Sequence, residues 1–255
     1  MQRHEKIVET NKKLSALISI NQSFLVTRTG WGAEPICTEA IINNKKDSIK
    51  PIIFSILEYN AGIYNQTNDN LKTWAFLYAD AIKKSDICFI WDSETVQQGI
   101  KVSQNALTKN VKTMSADTLD PINAINIGIK PWTLSLYGKR VLIVSPFIDS
   151  IKSQIDKKYK LFGDETPLFH EDQEYVYYKT FSTLGGNFLH SNWRETFNKM
   201  ITDIDKLDFD IALVSCGGYG LPICNFIKTK MQKSAIYLGG VLSLLFGVTC
   251  KRYGN

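Results

Sequence analysis

The feature of this sequence that most limits its fold is an alternation of short apolar runs, glycine-containing turns and segments with helical spacing. Six runs predict β-strands, at residues 24–28, 86–91, 139–145, 174–180, 210–215 and 234–238. Strands that are apolar along most of their length must be covered on both faces, which is typical of parallel sheets between helices. The sequence therefore predicts an α/β fold, with an open, mostly parallel sheet and helices on both faces.

The chain is predicted to form one large domain over residues 1–255. Its 255 residues are 44% hydrophobic and 22% charged, an ordinary globular balance that excludes a disordered or fibrous chain. The region 99–137, which contains Pro121 and Pro131, does not follow the strand–helix alternation. We expect it to be an insertion or a lid over the site.

The charge and the cysteine content of the chain limit the classes of function that it can have. The net charge of +5 comes from scattered lysines and arginines with no basic face, so no nucleic-acid partner is expected. Five cysteines without a CxxC pair favour a reducing compartment. The polar N-terminus does not resemble a secretory signal, and the longest apolar run, 235–248, is too short to cross a bilayer. We expect a soluble, cytoplasmic protein without a transmembrane segment.

Open parallel sheets bind their ligands outside the carboxyl ends of their strands. The predicted strands therefore select five candidate segments, at residues 28–34, 91–94, 145–147, 215–220 and 238–240.

The segment Arg28-Thr-Gly-Trp-Gly-Ala-Glu34 follows the first predicted strand. An arginine there can neutralise a diphosphate, and Glu34 at a helix start is placed to act as a base or metal ligand. Trp31 could stack on a base or a sugar. The alternative is structural: Glu34 complements the helix dipole, and Trp31 is a core or lid aromatic.

The segment Cys216-Gly-Gly-Tyr-Gly220 joins a fully apolar strand to a predicted helix. Glycines let a backbone approach a ligand closely, and helix N-termini present free N–H groups to anions. The segment is thus a candidate phosphate site through Gly217, Gly218, Tyr219 and Gly220, although its spacing is not GxGxxG. The alternative is a tight turn that needs glycine only for packing.

Two carboxylates, Asp92 and Glu94, follow the strand over 86–91. Such a pair at a strand end can hold a divalent cation that bridges phosphates. Short acidic loops are also commonly solvated or cap helices, and that alternative stays open.

Taken in order, these segments resemble GT-D-type glycosyltransferases and their relatives from bacterial polysaccharide loci. Arg28-Thr-Gly-Trp-Gly-Ala-Glu34 resembles the Arg-x-Gly…Glu signature of that family. The C-terminal sequence over 208–222, with Ala235-Ile-Tyr-Leu-Gly-Gly240 and Leu244-Leu-Phe-Gly247, resembles the end of the same group. Val144-Ser-Pro-Phe147 with Leu161-Phe162 is similar as well.

The resemblance implies a Rossmann-like fold and transfer of a sugar from a nucleoside-diphosphate sugar to a glycan or lipid-linked acceptor. Glu34 would be the base, and Arg28 would be catalytic and bind the diphosphate. Gly30, Trp31, the glycines of 217–220 and Gly240 would also bind the donor.

The family also implies Mn²⁺ or Mg²⁺ held by Asp-x-Glu, but this chain has Gly32-Ala33-Glu34, so the aspartate is absent. A divalent cation would then need Asp92 or Glu94. The missing aspartate favours an alternative, a non-catalytic nucleotide- or phosphate-binding protein on the same fold. The apolar run over 241–246 leaves a homodimer open if it is exposed, whereas burial as a packed helix is expected.

Overall fold

The computed structural model describes residues 2–20, 22–157 and 167–249. Its strands form one seven-stranded sheet in the order β3-β2-β1-β7-β6-β4-β5, and every neighbouring pair is parallel. The strands are β1 (Leu25–Arg28), β2 (Ile87–Ile90), β3 (Thr113–Ser115), β4 (Val141–Ser145), β5 (Tyr175–Lys179), β6 (Ile211–Val214) and β7 (Ser234–Tyr237). The predicted α/β class, with a Rossmann-like open parallel sheet, is confirmed.

Helices surround the sheet. They are α1 (Arg3–Ser19), α2 (Ala33–Ile42), α3 (Pro51–Ala61), α4 (Asn68–Lys83), α5 (Gln98–Leu107), α6 (Ile122–Asn126), α7 (Ile148–Asp156), α8 (Trp193–Ile204), α9 (Gly220–Thr229) and α10 (Val241–Leu244).

The core lies on both faces of the sheet because successive side chains of each strand point to opposite sides. In β4, Leu142 and Val144 belong to the apolar cluster formed with α2, α4, α8 and α9. Val141 and Ile143 belong to the second cluster, on the side of α1, α7 and α10. Every residue of β4 is buried, as a strand covered on both faces requires.

The strand order places the first and last described strands side by side. β1 pairs with β7, with Val26 opposite Ile236, and on its other side with β2. The strands β1 to β3 extend the sheet one way and β4 to β6 the other, so the two halves meet between β1 and β7. Ligand crevices of open α/β sheets form at such a change of direction.

Several parts of the structure depart from expectation or extend it. The region 99–137 adds the edge strand β3, and its helix α5 packs against α2. The run over 241–246 is largely internal, with Leu242, Leu245 and Phe246 buried. Leu161 and Phe162 lie outside the described residues, as does Cys250. Within the parts of the chain described, no helix combines the length and apolar character needed to span a bilayer.

Candidate functional site

A cavity of about 770 Å³ opens at the carboxyl ends of the central strands. This volume is in the range of sites that hold small organic ligands. All five segments that the sequence selected contribute residues to it, including the turns after β1 and β6. The wall is formed by Arg28, Thr29, Gly30, Trp31, Gly32, Glu34, Ile56, Asn60, Trp91, Pro146, Phe147, Thr180, Phe181, Ser182, Thr183, Leu184, Ser215, Cys216, Gly217, Tyr237, Gly239, Gly240, Val241 and Ser243.

Arg28, the last residue of β1, is held in the cavity wall by aromatic rings. Its guanidinium carbon lies 5.1 Å from the ring centroid of Trp91 and 5.9 Å from that of Tyr237, within the range of cation–π attraction. Gly239, on the neighbouring strand end, has a φ of +57°, and a side chain there would overlap the guanidinium. The glycine therefore leaves room for the arginine, and the rings orient it.

Glu34 lies in the first turn of α2 and packs against Gly30. A Cβ atom on Gly30 would overlap the Glu34 carboxylate, so the missing side chain provides the space that the acid occupies. The N–H of Gly30 donates to the hydroxyl of Tyr78 at 2.8 Å. Burial raises the pKa of Tyr78 well above its ordinary value, and the negative charge of Glu34 raises it further. Tyr78 therefore stays a neutral phenol.

Gln104 from α5 links the ends of β1 and β2 through its side chain, a role that no sequence pattern predicts. Its side-chain oxygen accepts from the backbone N–H of Trp91 at 3.1 Å and from the Thr29 hydroxyl at 3.0 Å. The indole of Trp91 donates to the carbonyl of Thr29 at 2.9 Å, and Trp31 meets Trp91 edge-on with centroids 4.6 Å apart. Both tryptophans are thereby positioned at the cavity.

The turn after β6 divides into a part that lines the cavity and a part that lies behind it. Gly217, with a φ of +57°, lines the cavity, whereas Gly218, Tyr219 and Gly220 are buried outside its wall. A Cβ on Gly218 would meet Ile63 at 2.7 Å.

Tyr219 donates its hydroxyl to the carbonyl of Gly62 at 3.0 Å and accepts from the Thr183 hydroxyl at 3.1 Å. A side chain on Gly220 would overlap the ring of Tyr237. Of the four residues predicted to bind phosphate in this turn, the structure brings only Gly217 to the cavity. The other three serve packing, the alternative that the sequence left open.

Two further parts of the wall extend the predicted site. Gly240 lines the cavity, as expected. Tyr237 also lines it, although it was not predicted to, and its hydroxyl donates to the carbonyl of Gly217 at 3.1 Å. The segment 180–184, after β5, forms one side of the wall. The strand that it follows was predicted over 174–180. Because ligands bind outside the carboxyl ends of such strands, this segment could also have been predicted to line the site.

Asp92 and Glu94 do not line the cavity. The carboxylate of Asp92 lies 3.2 Å from the Lys6 ammonium and 2.5 Å from the hydroxyl of Ser115. Burial acts to raise the pKa of Asp92, but the hydrogen bonds from Ser115 and Lys6 outweigh it and hold the pKa below its ordinary value.

The described wall of the cavity offers few ligands to a divalent cation. Glu34 is the one carboxylate among the described residues of the wall. Across 2–20, 22–157 and 167–249, no group of three or more His, Cys, Asp or Glu side chains is arranged to hold a metal ion. At nucleotide sites Mg²⁺ takes one or two protein carboxylates together with phosphate oxygens and waters, so Glu34 is the one protein carboxylate that this wall would supply to such an ion.

Comparison with protein-family models, curated proteins and solved structures finds no match to this chain. The assignment of function therefore depends on the residues of the cavity.

Proposed function

We propose that this protein is a glycosyltransferase that moves a sugar from a nucleoside-diphosphate sugar to a glycan or lipid-linked acceptor in polysaccharide biosynthesis. The observation that carries the proposal is the meeting of Arg28, Glu34, Gly217 and Gly240 around one cavity. These residues come from three different strand ends, and the first two are the cation and the acid that the chemistry needs.

The wall has the composition expected for a nucleotide-sugar pocket. Trp31, Trp91, Phe147 and Phe181 offer aromatic faces to a base or a sugar ring. Asn60, Ser182 and Ser243 provide groups that hydrogen-bond to hydroxyls.

Sugar transfer breaks the bond between the anomeric carbon and the diphosphate oxygen. The electron pair leaves with the diphosphate, where the Arg28 guanidinium stabilises the added negative charge. The acceptor oxygen attacks the anomeric carbon, and its proton passes to the Glu34 carboxylate. The aromatic rings that fix Arg28 keep its charge in place before the reaction, so little reorganisation is needed.

The proposed transfer is carried by Arg28 and Glu34, and Glu34 is the one carboxylate that the described wall offers. That same feature supports the second candidate, a non-catalytic nucleotide- or phosphate-binding protein on this fold. Both candidates require the diphosphate to bind beside Arg28, and they differ in whether the donor is consumed.

A thermal-shift experiment with UDP, GDP and dTDP, each with and without Mn²⁺, tests the shared requirement. A ligand at a hundred times its Kd stabilises the fold by about 2.7 kcal/mol, which raises the melting temperature measurably. Hydrolysis of the corresponding nucleotide sugars then separates enzyme from binder. A melting temperature that no nucleotide changes would contradict both candidates.

A further inference from the structure

Exposed apolar side chains are concentrated on and beside the elements that line the cavity. Five of the ten exposed large hydrophobic residues within the described segments belong there, whereas single exposed residues scattered over a surface need no explanation. These five are Trp31, Ile52, Tyr59, Phe188 and Leu189.

The helix α3 contributes the central part of this surface. Ile52 and Tyr59 are 59% and 53% exposed, and their spacing of seven residues places them on one face of the helix. Ile56, between them, lines the cavity. Tyr59 also lies against Gly186 in the turn that precedes Phe188. The exposed side of α3 therefore carries the apolar side chains Ile52 and Tyr59, together with Ser55 and Asn60, and it is continuous with the cavity mouth.

The segment before α3 carries three lysines, of which Lys46 lies over the ring of Phe54 in α3 and hydrogen-bonds to Asn68. Lys45, Lys46 and Lys50 precede α3, with Asp47 the one acid among residues 45–50. Lys50 occupies the N-cap position, and the first turn holds no acidic residue. A cation at a helix N-terminus opposes the helix dipole and destabilises the helix slightly. Positive charge next to exposed apolar side chains is complementary to a partner that is both anionic and amphipathic.

We propose that the outer face of α3, with its preceding lysines and Trp31, docks on an anionic lipid bilayer. Ile52 and Tyr59 would enter the boundary between headgroups and acyl chains, while Lys45 and Lys50 would contact acidic headgroups. A second copy of the chain fits less well, because a twofold contact through this face would bring the same lysines towards each other.

Docking in this way directs the cavity mouth towards the bilayer, since Ile56 and Trp31 belong to the wall. A substrate carried by a lipid would then reach the cavity without leaving the membrane surface. The inference depends on the exposed face and its charge, and it stands even if the protein does not transfer sugar.

Co-sedimentation of the full chain with vesicles tests the proposal. Vesicles of phosphatidylcholine mixed with phosphatidylglycerol should bind the protein at least about tenfold better than phosphatidylcholine alone, and added salt should weaken binding. The double variant Ile52→Ser/Tyr59→Ser and the double variant Lys45→Gln/Lys50→Gln should each reduce binding by about tenfold or more.

A matched control replaces two exposed apolar residues elsewhere, Phe76 in α4 and Val102 in α5, which are 49% and 56% exposed. Phe76→Ser/Val102→Ser should bind vesicles as the unchanged chain does. The thermal shift with nucleoside diphosphates, measured on every variant, monitors the cavity separately.

The docking proposal would be overturned if the chain did not bind the mixed vesicles. It would also be overturned if Phe76→Ser/Val102→Ser reduced vesicle binding as much as the variants of the α3 face do. A concentration-dependent dimer in sedimentation velocity that Ile52→Ser/Tyr59→Ser abolishes would overturn it as well, in favour of a second copy. A chain that binds vesicles and ignores nucleotides would support docking and contradict the proposed function.

Discussion

The turn after β1 and the turn after β6 are both rich in glycine and both reach the same cavity, yet they contribute in different ways. The first presents charged and aromatic side chains to the cavity, namely Arg28, Trp31 and Glu34. The second contributes Ser215, Cys216 and Gly217, and its remaining residues, 218–220, are buried against neighbouring elements. Glycine makes room for charged side chains of the cavity wall in and beside the first turn and for buried packing in the second.

The strongest test of this difference is Glu34→Gln, which keeps the shape of the side chain and removes the base. Sugar transfer should fall by about 10²–10⁴-fold, the usual contribution of general base catalysis, while the free energy of unfolding changes by less than about 1 kcal/mol. Steady-state turnover and urea unfolding measure the two effects.

Glu39→Gln is the matched control for that prediction. Glu39 lies on the same helix, accepts from the Asn43 side chain at 2.8 Å and does not line the cavity. It should leave turnover unchanged. Full activity of a folded Glu34→Gln protein would remove Glu34 from the catalytic role.

The second turn is tested by Gly220→Ala. The added methyl group would overlap the buried ring of Tyr237, whose hydroxyl is held by Gly217, so the ring cannot easily move. Overpacking of this kind should lower the free energy of unfolding by about 2–3 kcal/mol in urea titrations.

A glycine with open space provides the comparison for Gly220. No atom lies within 4 Å of the position of a Cβ on Gly99, which is in α5. Gly99→Ala should raise the free energy of unfolding by about 0.5–1 kcal/mol. If Gly220→Ala is instead as stable as the unchanged chain and binds nucleotide less well, the turn contacts ligand rather than core.

A smaller effect is expected for Arg28→Lys, which keeps the charge but loses the planar fork of donors. The nucleoside diphosphate that gives the largest thermal shift should bind this variant about tenfold more weakly, a loss of about 1.4 kcal/mol in binding free energy. Isothermal titration calorimetry measures this change. Arg140→Lys, at the opposite end of the sheet and paired with Glu174 and Asp208, should bind as before. Equal affinity in Arg28→Lys would show that the guanidinium does not contact the diphosphate.

The strands were predictable where burial on both faces made them apolar along their length. β6, whose four residues are all buried, is the clearest case. β3 was missed because it has only three residues, Thr113–Ser115, none of them fully buried, so it forms no apolar run. α3 was missed for the opposite reason: its residues are apolar on nearly every side, so no helical period stands out.

The site was predictable where a charged residue follows an apolar strand, as Arg28 does. It was not predictable where a contact depends on tertiary packing. Gln104 lies in a region of the sequence without a clear pattern, and its bonds to Trp91 and Thr29 exist only once α5 packs beside the sheet. Gly218 and Gly220 were ambiguous because glycine permits a close approach by a ligand and by a neighbouring side chain equally.

The position of β7 has a consequence for synthesis of the chain. β7 is the last described strand to leave the ribosome, yet it lies between β1 and β6, both of which are made earlier. Gly239, which follows it, lies against the Arg28 guanidinium, and Gly240 lines the cavity. A nascent polypeptide halted before residue 234 would have a sheet split at its centre, so translation must pass this point before the cavity can exist.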